Sequence, residues 1–244
     1  MEADPRVLVV AHVYYPELWP ELADRVELVS GRVDLAVTLV RGRADSLGDA
    51  ILARFPQATV RVLENRGRDI WPLVQVLDLV PGHDLVLKLH TKRSPHMRSG
   101  DAWRAELLDG ICGSTDQVNR IVEAFCVDPR LGLVAPPGNV LGREFLGNNA
   151  ARLRTLASRG GVSYDLAHLW FPAGSMFWAR PEVLLPLSDL GLTAEDFGIE
   201  TGAIDGTLPH ALERYLGLVA LSQGLAVVES SELDRMTART MADR

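Results

Sequence analysis

The residues of this sequence that could do chemistry cluster in a few short stretches. The densest is Asp84-Leu85-Val86-Leu87-Lys88-Leu89-His90-Thr91-Lys92-Arg93-Ser94. An apolar run carrying one lysine passes directly into cations and hydroxyls. Preceded by Pro81-Gly82, the run predicts a strand buried on both faces. Ligands of open α/β sheets bind beyond the carboxyl ends of such strands. Lys88, His90, Lys92 and Arg93 are therefore expected to meet an anion. The alternative is a strand entering a solvated basic loop. Against it, Lys88 lies inside the apolar run, where an unpartnered ammonium is costly.

Other stretches could join it. Glu64-Asn65-Arg66-Gly67-Arg68-Asp69 precedes a helix start at Ile70-Trp71-Pro72. Asp69 suits an N-cap and Pro72 a first turn. Asn65, Gly67 and the helix amides form a natural seat for phosphate or ribose, though an ordinary capped turn has the same composition. His12, Tyr14 and Tyr15 end the first apolar run, where they could face a ligand or cover the core edge. Ala173-Gly174-Ser175 lets the backbone approach a ligand closely. Trp178, just beyond, could stack on a sugar but fits core better. Thr207 is a natural N-cap for a helix on which His210, Glu213 and Arg214 share one face. Glu200 and Asp205 lie just before that helix. A carboxylate there could act as general base on a hydroxyl. The competing reading is capping for Asp205 and a surface ion pair for Glu213.

The elements that must position these residues alternate. Strands are expected at Arg6 to Tyr15, Asp34 to Val40 and Thr59 to Leu63, with helices at Glu17 to Val29 and Ala44 to Phe55 between them. This βαβαβ order predicts an α/β fold with a mostly parallel, doubly wound sheet. Helices follow at Ala102 to Ile111 and Thr115 to Val127, then a strand at Leu131. A loop-rich region with Gly147-Asn148-Asn149 and Gly160-Gly161 follows, and such inserts often carry selectivity. A closing strand is expected at Leu225 to Val228, with a frayed polar tail from Glu229.

The 244 residues, 47% hydrophobic, suit one domain with ample core. A net charge of −7 excludes nucleic-acid binding of the basic-patch kind. Cys112 and Cys126 lack metal-ligand spacing, and no signal peptide precedes them, which fits reduced core residues of a cytosolic protein. No apolar stretch reaches the roughly 18 residues of a spanning helix.

Together, His12 to Tyr15, Asn65 to Asp69, Leu87 to Ser94, Phe171 to Arg180 and Asp205 to Arg214 resemble the motifs of the rhamnan synthesis protein F family. The resemblance runs in order from about Val7 to Val228. It implies a GT-A-like glycosyltransferase domain over 1–228, with a nucleotide-sugar half at about 1–136, an acceptor half at 137–228 and a polar tail at 229–244. It implies sugar transfer, with rhamnose from dTDP-rhamnose, to a growing cell-wall or capsular glycan that could be lipid-linked. Other glycosyltransferase domains could act beside it, in the cytoplasm or at the inner face of the membrane. The donor side is expected to use His12, Asn65, Arg68, Asp69, Lys88, His90, Lys92 and Arg93. The acceptor side is expected to use Gly174, Ser175, His210, Glu213 and Arg214, with Asp205 as base and Glu200 in reserve. Most GT-A-like enzymes hold a divalent metal on an Asp-X-Asp motif where this chain has His90-Thr91-Lys92. Hard cations need oxygen ligands, so no metal or cofactor is expected, and fixed cations take over the leaving diphosphate. A non-catalytic module that binds nucleotide sugar or glycan is the second reading, and another phosphate-ester enzyme the third.

Overall fold

The computed structural model describes residues 4–43, 47–93, 100–200 and 202–235. Ser94, the expected start of the second helix at Ala44 and the last nine residues of the tail lie outside them.

The strands are β1 (Arg6–Val13), β2 (Arg32–Val40), β3 (Thr59–Leu63), β4 (Leu85–His90), β5 (Leu131–Ala135), β6 (Val140–Gly142), β7 (Trp170–Pro172), β8 (Phe177–Ala179) and β9 (Ala226–Glu229). The helices are α1 (Trp19–Val26), α2 (Leu47–Arg54), α3 (Ile70–Val74), α4 (Gly100–Cys112), α5 (Thr115–Val127), α6 (Ala150–Arg159), α7 (Pro181–Leu184), α8 (Pro186–Asp189) and α9 (Leu208–Ser222). Seven strands form one sheet in the order β3-β2-β1-β4-β8-β5-β9, and β6 and β7 form a separate antiparallel pair. The large sheet is mostly parallel, as expected. The exception is β8, which runs antiparallel to both β4 and β5.

Period-two alternation sorts the strands into two cores. Val7, Val9, Ala11, Leu85, Leu87 and Leu89 face one layer, which packs on α1, α4 and α5. Leu8, Val10 and Val86 face the other, built from α3, α6 and α9. His12, Lys88 and His90 keep the even phase, so they point to the α3 and α9 side. The register pairs Val10 with Lys88 and His12 with His90. The chain leaves β1 for β2 and β3, then returns to add β4 on the other side of β1. The carboxyl ends of β1 and β4 therefore flank a topological switch point, where open α/β sheets bind ligands.

Some local expectations change. The first helix is shorter than expected: a 3-10 turn at Pro16–Leu18 precedes α1. Trp178 is fully buried and donates its indole N–H to the Ile111 carbonyl at 3.0 Å, so it is core and not a sugar platform. Ordered chain continues past Glu229 through a 3-10 turn to Leu233, which is buried against the core. No helix among the described residues is long and apolar enough to cross a membrane.

Candidate functional site

A cleft of about 550 Å³ opens over the carboxyl ends of β1 and β4. That volume suits a ligand of nucleotide-sugar size. Its lining includes His12, Asn65, Arg68, Asp69, His90, Lys92 and Arg93 from the first half of the chain and Gly174, Ser175, Glu200, His210, Glu213 and Arg214 from the second. Every expected site residue except Lys88 and Asp205 lines this space.

Lys88 lies beneath the floor, only 1% exposed. Its Nζ donates to Asp69 Oδ2 at 2.6 Å and to the Ser175 carbonyl at 2.6 Å. It cannot reach a diphosphate, which corrects the expectation. The desolvation cost anticipated from the sequence is met by these two partners. Asp69 does occupy the N-cap position of α3, yet its carboxylate makes no capping bond. The carboxylate turns to Lys88 instead. Burial pushes Asp69 up, but the Lys88 charge and hydrogen bond, with a smaller contribution from Lys92, hold it well below the usual carboxylate range.

The two histidines are not cations here. Burial pushes His12 down to about 4, and its Nδ1 pairs with Thr38 Oγ1 at 3.0 Å. Burial likewise holds His90 well below its ordinary value. Its Nδ1 is buried with no hydrogen-bond partner among the described residues, 3.7 Å from Asp69 Oδ2.

Arg93 pairs with Glu17 at 2.8 Å, both half exposed, and lies over the Tyr15 ring. Lys92 differs: among the described residues no carboxylate pairs with it, and its ammonium sits 4.2 Å from the Trp103 ring centre. Burial lowers its pKa. Arg104 fixes this segment by donating to the Lys92 carbonyl at 3.2 Å while pairing with Glu21. Thr91, which the sequence reading passed over, accepts the Tyr14 and Tyr15 N–H groups on its Oγ1 at 2.9 and 3.0 Å. It ties the end of β4 to the end of β1.

Arg68 has φ 55°, in the left-handed region that non-glycine residues seldom adopt. Gly67 before it also has positive φ, and a Cβ there would collide with Phe197 and Trp71. This turn aims Arg68 across the cleft. Its guanidinium meets Glu200 through two 3.1 Å hydrogen bonds and also donates to the Ala203 carbonyl. A third nitrogen lies 3.1 Å from His210 Nε2. Arginine only donates, so Nε2 accepts and His210 Nδ1–H donates to Thr207 Oγ1 at 2.7 Å. The Arg68 hydrogen bond holds Glu200 below the usual carboxylate range.

Glu213 is not on a solvated face. It accepts the Gly174 N–H at 2.8 Å and the Ser175 O–H at 2.9 Å on one oxygen, and Arg214 at 3.1 Å on the other. Burial raises its pKa despite those donors. Ser175 also has φ 55°. Strained residues of this kind persist where the surroundings over-determine them and cluster at functional sites. Arg214 is further held by the Phe145 and His210 carbonyls.

Asp205 points away from the cleft. It accepts the Asn148 N–H at 2.8 Å and the Asn149 side-chain N–H at 2.6 Å. Burial pushes its pKa up, but those hydrogen bonds outweigh it and lower the pKa. The partner turn needs Gly147, whose φ is +59° and whose Cβ would strike the Asp205 carboxylate. Asp205 thus anchors the loop-rich region to the start of α9; it does not line the cleft and makes no hydrogen bond to the other candidates among the described residues, although its charge acts on His210 and Arg214.

With this geometry in place, the comparisons with known proteins decide the family. A family model described as rhamnan synthesis protein F matches residues 1–225. The chain belongs to the rhamnan synthesis protein F family. Family membership associates it with rhamnan and polysaccharide synthesis. It is also 41% identical over 223 residues to the uncharacterized protein WxcX of Xanthomonas campestris pv. campestris, in strain B100 and in strain ATCC 33913. That match covers 90% of this chain and 32% of each relative, so the chain spans about a third of their length.

Proposed function

We propose that this chain transfers a sugar from a nucleoside diphosphate donor to a growing cell-surface polysaccharide, on a GT-A-like sheet. Rhamnose carried on dTDP is the donor that fits the family. The observation that carries the reading is the asymmetry of the cleft. One side offers a cation, Lys92, that makes no ion pair within 4 Å among the described residues, and the α9 side offers a buried carboxylate, Glu213, whose charge also acts on Lys92. An anionic leaving group and a nucleophilic hydroxyl need those two environments on opposite sides of the reacting carbon.

On this reading the donor diphosphate lies against Lys92. Arg93 adds to it by exchanging a solvated Glu17 partner for phosphate, at little cost because exposed pairs contribute little. His90 and Asn65 accept or donate to sugar and ribose hydroxyls. Gly174, Ser175 and the α9 face receive the glycan. The leaving group is neutralised by protein cations without a divalent metal. A calorimetric titration with nucleoside diphosphate sugars tests the binding half. Binding of dTDP-rhamnose above dTDP-glucose and above free rhamnose supports it, and no binding of any nucleoside diphosphate sugar contradicts it.

The coverage of WxcX favours a second reading. A unit that spans a third of its relatives could bind donor or glycan while another part of a longer chain performs transfer. Donor binding with no acceptor-dependent turnover is its signature.

A further inference from the structure

The carboxylates that line the cleft are not equivalent. Glu200 is spanned by Arg68 in a two-bond fork. Asp69 is committed to Lys88. Asp205, the sequence-level candidate for base, faces Asn148 and Asn149 outside the cleft. Glu213 remains. Its side chain is 14% exposed, and the residue lines the cleft. A carboxylate has about four acceptor positions, and the protein fills three of Glu213's. One is left for a hydroxyl from the cleft.

Glu213 is supported from two sides. One support comes from the Gly174-Ser175 turn, in which both residues have positive φ. Ser175 is pinned from the other side, because its carbonyl accepts the buried Lys88 ammonium. A continuous chain of contacts therefore runs Asp69, Lys88, Ser175, Glu213, Arg214. It joins the donor wall to the acceptor wall beneath the cleft. Two charged neighbours weaken Glu213 as a base, Arg214 and Lys92, and one strengthens it, Asp69. Burial is larger than each of these and raises its pKa.

We propose that Glu213 is the catalytic residue that takes the proton of the acceptor hydroxyl. This rests on the reading of the chain as a sugar transferase. The acceptor O–H proton passes to the free acceptor position of Glu213. The oxygen forms its bond to the anomeric carbon as the bond from that carbon to the donor phosphate oxygen breaks. The electron pair leaves with the nucleoside diphosphate on the Lys92 side. Displacement in one step inverts the anomeric configuration. Ser175 is a positioning residue whose hydroxyl tempers the basicity of Glu213.

The test measures acceptor-dependent release of nucleoside diphosphate over a pH series, for the wild type, Glu213→Gln and Ser175→Ala, with donor affinity by calorimetry. Expected for Glu213→Gln is a loss of about 100-fold or more in transfer, with donor affinity unchanged. Expected for the wild type is a rate that rises with pH through a value above the ordinary carboxylate range. Ser175→Ala removes a hydrogen bond to the charged form, so that rise moves to higher pH. A merely structural Glu213 leaves the position of the rise unmoved in Ser175→Ala. That outcome, transfer by Glu213→Gln at more than about a tenth of the wild-type rate, or a product with retained configuration overturns the assignment. Should Glu213→Gln fail to fold, the Ser175→Ala profile and the product configuration decide alone. A wild-type chain that binds no donor contradicts the transferase reading itself, whereas transfer that survives Glu213→Gln contradicts only this inference.

Discussion

Lys88→Met is the perturbation whose consequence follows most directly from the structure. Methionine matches the lysine stem and keeps the packing beneath the cleft, so the change isolates the ammonium. Its removal leaves Asp69, with a side chain 17% exposed, and the Ser175 carbonyl without their donor. Burial still disfavours a charged His90 ring, whose Nδ1 lies 3.7 Å from Asp69 Oδ2, so it replaces the ammonium poorly. Breaking a buried pair by removing one partner costs roughly 3–5 kcal/mol. The remaining exposure of Asp69 sets the expectation at the lower end, about 3 kcal/mol. For a chain of this size that is a fall in melting temperature of roughly 6–12 °C. The pH dependence has a definite sign. In the wild type the Asp69 pKa is depressed, so the pair's stabilisation is present above the ordinary aspartate value and is lost as pH falls through the lower folded value. In Lys88→Met burial dominates and raises Asp69. The variant then loses stability as pH rises through that raised value. The gap between the two proteins should widen from about pH 4 to pH 7. Thermal melts followed by circular dichroism across that range measure it. Adding Asp69→Asn should recover part of the loss. A gap below about 1 kcal/mol at pH 7, or one that narrows as pH rises, refutes the reasoning.

Three further outcomes are expected. Lys92→Ala should weaken nucleoside diphosphate binding by about 1.5–3 kcal/mol, roughly 10- to 150-fold, relative to the nucleoside; calorimetry with both ligands checks this, and an unchanged ratio returns Lys92 to the solvated surface. Asp205→Asn should leave the transfer rate near wild type, because the carboxylate lies outside the cleft, whereas Asp205→Ala should cost roughly 1–3 kcal/mol in a denaturant melt by leaving the Asn148 and Asn149 donors unmet. Donor affinity in a chelator should stay within tenfold of its value with magnesium, about 1.4 kcal/mol; a larger drop assigns the diphosphate to a metal.

Much of the scaffold was legible because it rests on local rules. Apolar runs bounded by turns marked β1, β2, β3 and β4, and their alternation with helices predicted the parallel sheet. The basic end of β4 and the Asn65 to Asp69 turn met at one edge because both follow strands of that sheet. The partners of charged residues were not legible, since they depend on long-range closure. Lys88 stands 19 residues from Asp69 and 87 from Ser175, and no spacing rule links them. An aspartate before a helix reads as a cap whether or not its carboxylate turns elsewhere, which is why Asp69 was misread. Asp205 drew attention through its place before α9, but its partners lie 56 and 57 residues upstream. Glu213 was placed on the acceptor side, with a surface pair to Arg214 as the competing reading, and its burial was not foreseen. It is covered by the Gly174-Ser175 turn that leads from β7 into β8, an antiparallel strand of three residues. Lys92 was expected beyond the strand end and lines the cleft there, but its Trp103 neighbour on α4 carried no local signal.

The most direct test of the central claim is acceptor-dependent turnover of dTDP-rhamnose by the purified chain, followed as nucleoside diphosphate released and as mass added to a rhamnose-containing oligosaccharide. The account predicts that both rise together only when donor and acceptor are present, and that the added mass equals one deoxyhexose unit per nucleotide released. Donor that binds and is never consumed, with the acceptor mass unchanged, contradicts transfer by this chain.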